Sequence, residues 1–242
     1  MKKRTKTEKV ELSLRIYFIF ITLSAIIYRI IEFSVDNAQW ELLFSSFLTL
    51  ILFLLPSFFH KRTKISIPPA FQIIALLFIF ASMYLGEIRR FFDIYPWWDT
   101  MLHSFSAMFL AYIGFLLIFT LNKDENIHLV LSPFFIALFT FCFSLTVGTV
   151  WEIFEFLGDE IFGTNMQKAR NLNDITSGVI DSRLGIVDTM KDLIVDALGA
   201  FIVAIIGYYY CRKKMVKDNA FWRLKDQFFN HNPDVFKNEK NK

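Results

Sequence analysis

The sequence predicts an all-α, polytopic transmembrane helical bundle with about six membrane spans and both termini in the cytoplasm. Its composition is the first observation: 55% of the 242 residues are hydrophobic and 30 are phenylalanine, more than a soluble domain of this length needs. The mean hydropathy is +0.42. The second observation is that the apolar residues form runs of about 20, enough for a helix to cross ~30 Å of hydrocarbon. The third is that strand-like alternation is absent from the sequence.

The first apolar run covers about residues 13–33 and follows a basic N-terminal segment, residues 1–12, that we expect in the cytoplasm. The run lacks the short core and the small-residue cleavage site of a signal peptide, which indicates an uncleaved span. Arg29 and Glu32 lie one helical turn apart near its far end. We expect them to form an ion pair or to reach the polar residues described below.

The second run covers residues 40–59, and the third begins after two prolines that suit a first helical turn. These are Pro68 and Pro69, and the third run ends near Gly86. A connector with the aromatic residues typical of lipid headgroup level follows it. The remaining runs cover residues 99–121, 130–156 and 188–210.

The connection between the last two runs, residues 158–187, is long, polar and punctuated by glycines. Connections of this length are usually functional or disordered, so we expect an extracytoplasmic loop that helps to bind a polar headgroup. The six-span membrane domain, residues 13–210, is followed by a basic cytoplasmic tail, residues 211–242. The tail carries apolar residues at the spacing of a helix lying on the membrane surface: Phe221, Leu224 and Phe228.

Basic residues predict the orientation. Alternate connections place the N-terminal cluster, the HKRTK sequence, Lys123 and the CRKK sequence on one side. The basic residues of the other side lie mostly in one long loop, which counts for less in the positive-inside rule. The chain is therefore predicted to be a multi-pass protein of the cell (cytoplasmic) membrane with cytoplasmic termini.

Ionisable residues recur at one end of each of the last three runs. Within each run they have the i, i+3 or i, i+4 spacing that places them on one helical face. The predicted topology brings these ends to the extracytoplasmic side, and ionisable groups inside a membrane are costly enough to indicate a functional site. The residues are Asp99 and His103, Glu152 and Glu155, and Asp188, Asp192 and Asp196.

A histidine with several carboxylates is a ligand set for Mg²⁺, Mn²⁺ or Ca²⁺, and for Zn²⁺ if His103 and two or three carboxylates bind directly. The sequence predicts a divalent-metal-binding pocket in a metal-dependent hydrolase or transferase that acts on a lipid or envelope substrate. The candidate metal ligands are His103, Glu152, Glu155, Asp188, Asp192 and Asp196. The candidate catalytic residues are Asp99, His103, Glu152 and Glu155, with Asp99 orienting the histidine or acting as a base.

Two other interpretations stay open. A proton- or cation-coupled transporter would use the same residues as a relay, with Asp196 as its deep acceptor, although few polar residues continue into the cytoplasmic half. In a purely structural interpretation, the carboxylates cap helices and bridge them. That explains Asp99 and Asp188, at span starts, better than Glu152, inside a span.

The net charge and the cysteines indicate which partners to expect. The net charge of +3 comes largely from basic residues at the two ends of the chain, which suits anionic lipid headgroups and not a nucleic-acid-binding stripe. Cys142 and Cys211 lie in or beside apolar runs, where packing is a commoner role than a disulfide or a metal site. The predicted partners are the lipid bilayer and its lipids, without nucleic acid.

Three segments together resemble the YjdF-type integral membrane proteins of bacteria and archaea, a family of unknown function. They are WDTMLHSFSAM, WEIFEFLGD with FGTNMQ, and DTMKDLIVDALGA, within residues 97–210. The resemblance implies a membrane protein with a polar cluster formed by the same seven ionisable residues, and it brings no established activity. A more distant similarity to VanZ-like envelope proteins points to chemistry at the cell surface.

Overall fold

The structure is a computed structural model that describes residues 5–35, 40–63, 67–121, 131–169 and 181–213. Within these ranges, side chains are described except at residues 32–35, 40, 41, 56–63, 119–121 and 213. Long helices make up most of the described residues, which contain no strand. The all-α class predicted from the sequence is therefore confirmed.

The chain divides into two compact units, which are described separately. The first unit contains residues Met1–Trp98 together with Val216–Lys242, and the second contains Asp99–Met215. The helices of the first unit are α1 (Lys6–Val35), α2 (Trp40–Thr63), α3 (Pro69–Ile79, continued by a π-helical segment, Phe80–Ile88) and the short α4 (Phe91–Ile94).

Helix α1 begins earlier than its apolar run. The backbone N–H of Thr5 donates to the Glu8 carboxylate (2.7 Å), and the backbone N–H of Glu8 donates to the Thr5 hydroxyl (3.2 Å). This reciprocal capping satisfies two donors that a helix start leaves free. The predicted N-terminal segment, residues 1–12, is therefore partly helical, because a cap, and not the start of the apolar run, decides where the helix begins.

The core of the first unit is aromatic and aliphatic. Phe18, Phe53 and Leu76 are buried against one another, and the ring of Phe80 stacks on Phe18 with centroids 4.4 Å apart. These contacts join α1, α2 and the third helix. That helix has a proline in its first turn, as the sequence predicted, and its π-helical segment ends at Ile88.

The second unit contains three long helices: α5 (Trp98–Leu121, from Asp99 onward), α6 (Pro133–Phe162) and α7 (Ser182–Lys213). Small residues let them approach closely. A Cβ atom at Gly199 of α7 would lie 3.1 Å from the Cβ of Ala107 on α5, and a Cβ at Gly207 would overlap the ring of Phe115. Close backbone approach through small residues is the usual packing of membrane helices.

Helices α6 and α7 are longer than predicted at the ends that face their connection. Helix α6 continues to Phe162 and α7 begins at Ser182, so both helices extend into the expected loop, residues 158–187. The prediction placed the helix ends where the apolar runs end. The structure shows helix beyond them, because Gly163 closes α6 in the left-handed conformation (φ 66°) and Asp181 accepts a hydrogen bond from the N–H of Arg183.

Five helical segments of the described chain are long and apolar enough to cross a membrane, and α2 contributes a shorter apolar stretch, Leu42–Leu55. The five segments are Lys6–Ile31, Pro69–Ile88, Trp98–Ile118, Pro133–Phe162 and Ser182–Arg212. A polytopic helical membrane protein is thus confirmed. The sixth span in α2 and the cytoplasmic location of the termini stay predictions.

Some predictions lie outside the described residues. The tail helix with Phe221, Leu224 and Phe228 belongs to residues 214–242, and the side chain of Glu32, the expected partner of Arg29, is not described. Arg29 itself lies over the ring of Tyr28, 5.5 Å from its centroid. Cys142 is exposed on α6 and therefore does not pack inside the unit.

Candidate metal centre

The second unit surrounds one buried imidazole with carboxylates. His103 on α5 is 8% exposed, and its Nδ1 atom lies 3.2 Å from Oδ1 of Asp196 on α7. Its Nε2 atom lies 3.7 Å from Oδ1 of Asp99, one turn earlier on α5, and 3.8 Å from Oε1 of Glu152 on α6. Each of the three helices therefore contributes at least one acidic group to the same imidazole.

Helix direction and spacing explain this convergence. His103 lies near the start of α5, Glu152 lies in the second half of α6, and Asp196 lies in the first half of α7. With α6 running opposite to α5 and α7, these positions come to the same end of the unit. The hydroxyl of Ser144 donates to the carbonyl of Ala107 (2.8 Å) and ties α6 to α5 beside the cluster.

Asp192 completes a group whose geometry could hold a cation. One ligand atom from each of Asp99, His103 and Asp192 lies within 4.8 Å of the other two. A cation with bonds of about 2.0–2.4 Å to each atom fits such separations. Asp192 is 1% exposed, so any ion held here would be largely removed from solvent.

Several oxygens in this cluster have no hydrogen-bond donor. Both carboxylate oxygens of Glu152 and Oδ1 of Asp192 are buried without a partner among the described residues, and the two side chains are 3% and 1% exposed. A buried carboxylate without a donor or a counter-charge is strongly unfavourable. His103 lies within ion-pair distance of Asp99, Glu152 and Asp196. Its single positive charge cannot balance these three carboxylates and Asp192.

The outer rim of the cluster is formed by Asp188 and Thr189 of α7. The charges of Lys168 and Lys191 act on Asp188, as do those of Asp99 and Glu152. The Thr189 hydroxyl lies near Glu152 and accepts a hydrogen bond from Nε2 of Gln167 (2.8 Å). The Glu152 oxygens have no hydrogen bond of good geometry with it.

Glu155 forms a hydrogen bond within its own helix. Its Oε1 accepts a hydrogen bond from Nε1 of Trp151 on the same helix (2.9 Å). Asp159, four residues after Glu155 on α6, accepts hydrogen bonds from the Thr164 hydroxyl and from the N–H groups of Met166 and Gln167. Its carboxylate is therefore used to fold the chain back after α6.

Gly148 was not predicted from the sequence as part of the site. This residue lies one turn before Glu152 on the buried face of α6, and a Cβ atom there would overlap Oδ2 of Asp196. The sequence signal that could have identified it is a small residue four positions before Glu152. Glycine allows Asp196 to lie against the α6 backbone, within reach of His103.

The second unit contains a cavity where α6 ends and α7 begins. It has a volume of about 220 Å³ and is bounded by the end of α6, residues 164–169 and the start of α7. Its polar lining includes Glu160, Asn165 and Ser182, together with Gln167, which is hydrogen-bonded to Thr189 at the rim. One residue that lines the cavity, Gln167, is therefore bonded to a residue at the rim of the cluster.

The fold and the cluster define a multi-pass helical membrane protein with a buried acidic and histidine site. A sequence-family profile described as "Predicted membrane protein (DUF2238)" matches residues 11–213, and the chain belongs to this family. An uncharacterized protein from Thermotoga maritima is 29% identical over 171 residues, which cover 69% of this chain and 74% of that protein. No solved structure matches the chain. The YjdF-type resemblance agrees with this family, whereas these matches do not show a VanZ-like similarity.

Proposed function

We propose that the second unit binds a divalent cation through Asp99, His103 and Asp192, with Glu152 as a further ligand or as the base for a bound water. The observation that carries this proposal is the set of buried oxygens without hydrogen-bond donors, on Glu152 and Asp192, beside three ligand atoms close enough to share one ion. A cation supplies both the missing positive charge and the missing partner.

The donor set limits the identity of the ion. Two carboxylates and one imidazole suit Zn²⁺ or Mn²⁺, and additional carboxylate or water oxygens would favour Mn²⁺, Mg²⁺ or Ca²⁺. Glu155 and Asp188, also predicted from sequence as ligands, are not in the proposed set. The first of these faces Trp151, and the second lies at the rim among lysine charges.

The reaction class that we propose is metal-dependent hydrolysis or group transfer on a lipid or envelope substrate. A bound cation lowers the pKa of a coordinated water and polarises a phosphoryl or acyl oxygen. Glu152 is suited to accept the proton of that water, because its oxygens are near the cation group and carry no other hydrogen bond. The cavity, with Glu160, Asn165 and Ser182 in its lining, is a candidate site for the polar headgroup.

Metal analysis of the detergent-purified protein tests the cation site. We expect close to one equivalent of divalent metal in the wild type, and much less in the double variant Asp99→Asn with Asp192→Asn. Glu160→Gln is the matched control, because it removes an exposed carboxylate from the same end of α6. Wild-type protein that neither retains nor rebinds Zn²⁺, Mn²⁺, Mg²⁺ or Ca²⁺ would contradict the proposal.

Transport of protons or cations is the second candidate function, and one observation favours it. The buried face of α6 continues from Glu152 through Gly148 and Ser144 to Thr140, whose Oγ1 is buried without a hydrogen-bond partner. A relay along this face predicts cation or proton flux into proteoliposomes that Thr140→Val reduces. Absence of flux in the wild type would leave the enzyme as the better proposal.

A further inference from the structure

His103 has two ring nitrogens, and the structure gives them different surroundings. Nδ1 is within hydrogen-bond distance of Asp196, at 3.2 Å. Nε2 faces Asp99 and Glu152 at 3.7 and 3.8 Å, too far for a hydrogen bond. A neutral imidazole carries one N–H, and its other nitrogen offers a lone pair.

We propose that Asp196 is a positioning residue that holds the His103 Nδ1–H, so that Nε2 presents its lone pair to the cation. This inference rests on the proposed cation site and deepens it. It changes the role of Asp196 from a metal ligand, as the sequence predicted, to the partner of one. Carboxylate–histidine–metal arrangements fix the orientation and tautomer of the ligand and raise its basicity.

Burial strengthens the preference of His103 for a proton on Nδ1. Asp196 is 2% exposed and His103 8% exposed, so solvent does not compete for the Nδ1–H. A carboxylate can only accept hydrogen bonds. The proton is therefore held on Nδ1, the nitrogen turned away from Glu152 and Asp99.

Gly148 makes this contact possible. Because a Cβ at residue 148 would overlap Oδ2 of Asp196, any larger residue pushes the carboxylate away from α6 and disturbs its distance to Nδ1. Gly148 is buried and lies on the same face of α6 as Glu152. Gly148 therefore leaves space for the partner of Nδ1, and Glu152, one turn later, lies next to Nε2 of the same imidazole.

The first test is Asp196→Asn, which keeps the side-chain size but introduces an amide that can donate to Nδ1 and leave the proton on Nε2. We expect Zn²⁺ or Mn²⁺ affinity to fall about 10- to 100-fold, the usual effect of losing such a partner. Asp188→Asn is the control, since Asp188 lies at the rim on the same helix, and we expect its effect to be under about threefold. Unchanged affinity in Asp196→Asn would overturn the inference.

The second test reads the tautomer directly and does not depend on folding yield. ¹⁵N-histidine NMR of the purified protein, with His103→Gln to assign the signal among the four histidines, should show a protonated Nδ1. We expect Zn²⁺ to shift Nε2 alone, and Asp196→Asn to remove the Nδ1–H signature. Zn²⁺ bound through Nδ1, or an unchanged spectrum in Asp196→Asn, would overturn the inference.

A pair of glycine variants separates positioning from packing. Gly148→Ala and Gly207→Ala each introduce a Cβ that overlaps a neighbouring side chain, Asp196 in one and the Phe115 ring in the other. We expect both to lower thermal stability, but Gly148→Ala alone to alter the His103 spectrum and the metal affinity. Equal effects of the two variants on the spectrum would count against the proposed role.

These measurements also distinguish failure of this inference from failure of the cation site. If the wild type binds no metal, the cation site fails, and the Nδ1–H of metal-free, neutral His103 still tests the role of Asp196. If the wild type binds metal and Asp196→Asn binds it equally well, only the positioning role fails.

Discussion

Oε1 of Glu152 lies 3.8 Å from Nε2 of His103, and neither oxygen of Glu152 has a hydrogen-bond partner among the described residues. The two residues belong to different helices of the second unit, so the folded packing itself brings the carboxylate to the imidazole. Close carboxylates repel each other when ionised. Without a cation, the cluster should therefore oppose folding.

Glu152→Gln should raise the melting temperature of the metal-free protein, because it removes one buried charge while keeping the side-chain volume. In the wild type, an ion at about 100 times its Kd adds about 2.7 kcal/mol to the free energy of unfolding, and we expect this gain to shrink in the variant. Tryptophan-fluorescence melting in detergent, with chelator and with added Mn²⁺ or Zn²⁺, measures both effects.

Glu160→Gln serves as the control for this experiment, since Glu160 is exposed on the same helix and its loss should change neither melting temperature. A metal-free Glu152→Gln protein that melts below the wild type would argue for a purely structural role of the Glu152 carboxylate.

Metal affinity should rise with pH. Protons compete with the cation for the oxygens of Asp99 and Asp192 and for the lone pair of His103, so binding releases protons wherever these sites are partly protonated. Lower pH then weakens binding, and higher pH strengthens it until the sites are fully deprotonated. Calorimetric titrations in two buffers of different ionisation enthalpy count the protons released. A pH-independent Kd would mean that the ion binds elsewhere.

The sequence predicted the convergence of the last three spans but not its details. Asp99, His103, Glu152 and Asp196 were predicted as site residues because ionisable residues at helical spacing stand out in apolar runs. Spacing alone could not show that Glu155 faces Trp151. That depends on the rotation of α6, which is set by packing of residues such as Gly148.

Helix ends were predicted less well than helices. Hydropathy shows where a chain can lie in hydrocarbon, whereas capping decides where the helix ends. Thr5 with Glu8 starts α1, and Gly163 closes α6. Both helices therefore extend beyond their apolar runs. The metal and catalytic roles of the cluster stay predictions.

Ser144→Ala should weaken packing between α5 and α6. The Ser144 hydroxyl donates to the Ala107 carbonyl inside the unit, and hydrogen bonds between membrane helices contribute on average about 0.6 kcal/mol. Unfolding in mixed micelles with increasing SDS measures the loss. Thr149→Ala is the control, since the exposed Thr149 hydroxyl donates to the Leu145 carbonyl of its own helix. Equal losses in both variants would contradict the interhelical assignment.

Asp159→Asn should loosen the chain after α6 without affecting the cation. The Asp159 carboxylate accepts three hydrogen bonds, from Thr164, Met166 and Gln167, and an amide can accept with only one of its two ends. Hydrogen–deuterium exchange should become faster in residues 163–169, while metal content stays at the wild-type level. Loss of metal in this variant would contradict the prediction and show that the end of α6 is also needed for metal binding.

The location of the two termini tests whether α2 crosses the membrane. Five helical segments are long and apolar enough to do so, and the apolar stretch Leu42–Leu55 of α2 is shorter. If α2 also crosses, the number of spans is even and both termini lie on the same side. If it does not, they lie on opposite sides.

We expect both termini in the cytoplasm, because the basic residues near them follow the positive-inside rule. Fusions of green fluorescent protein and alkaline phosphatase to each terminus measure this, since the first fluoresces only inside the cell and the second is active only outside. Phosphatase activity at one terminus and fluorescence at the other would show an odd number of spans, as expected if α2 does not cross. Because the orientation of the last three helices follows from that of the C-terminus, fluorescence at the C-terminus places the His103 cluster at their extracytoplasmic end, and phosphatase activity there places it at the cytoplasmic end.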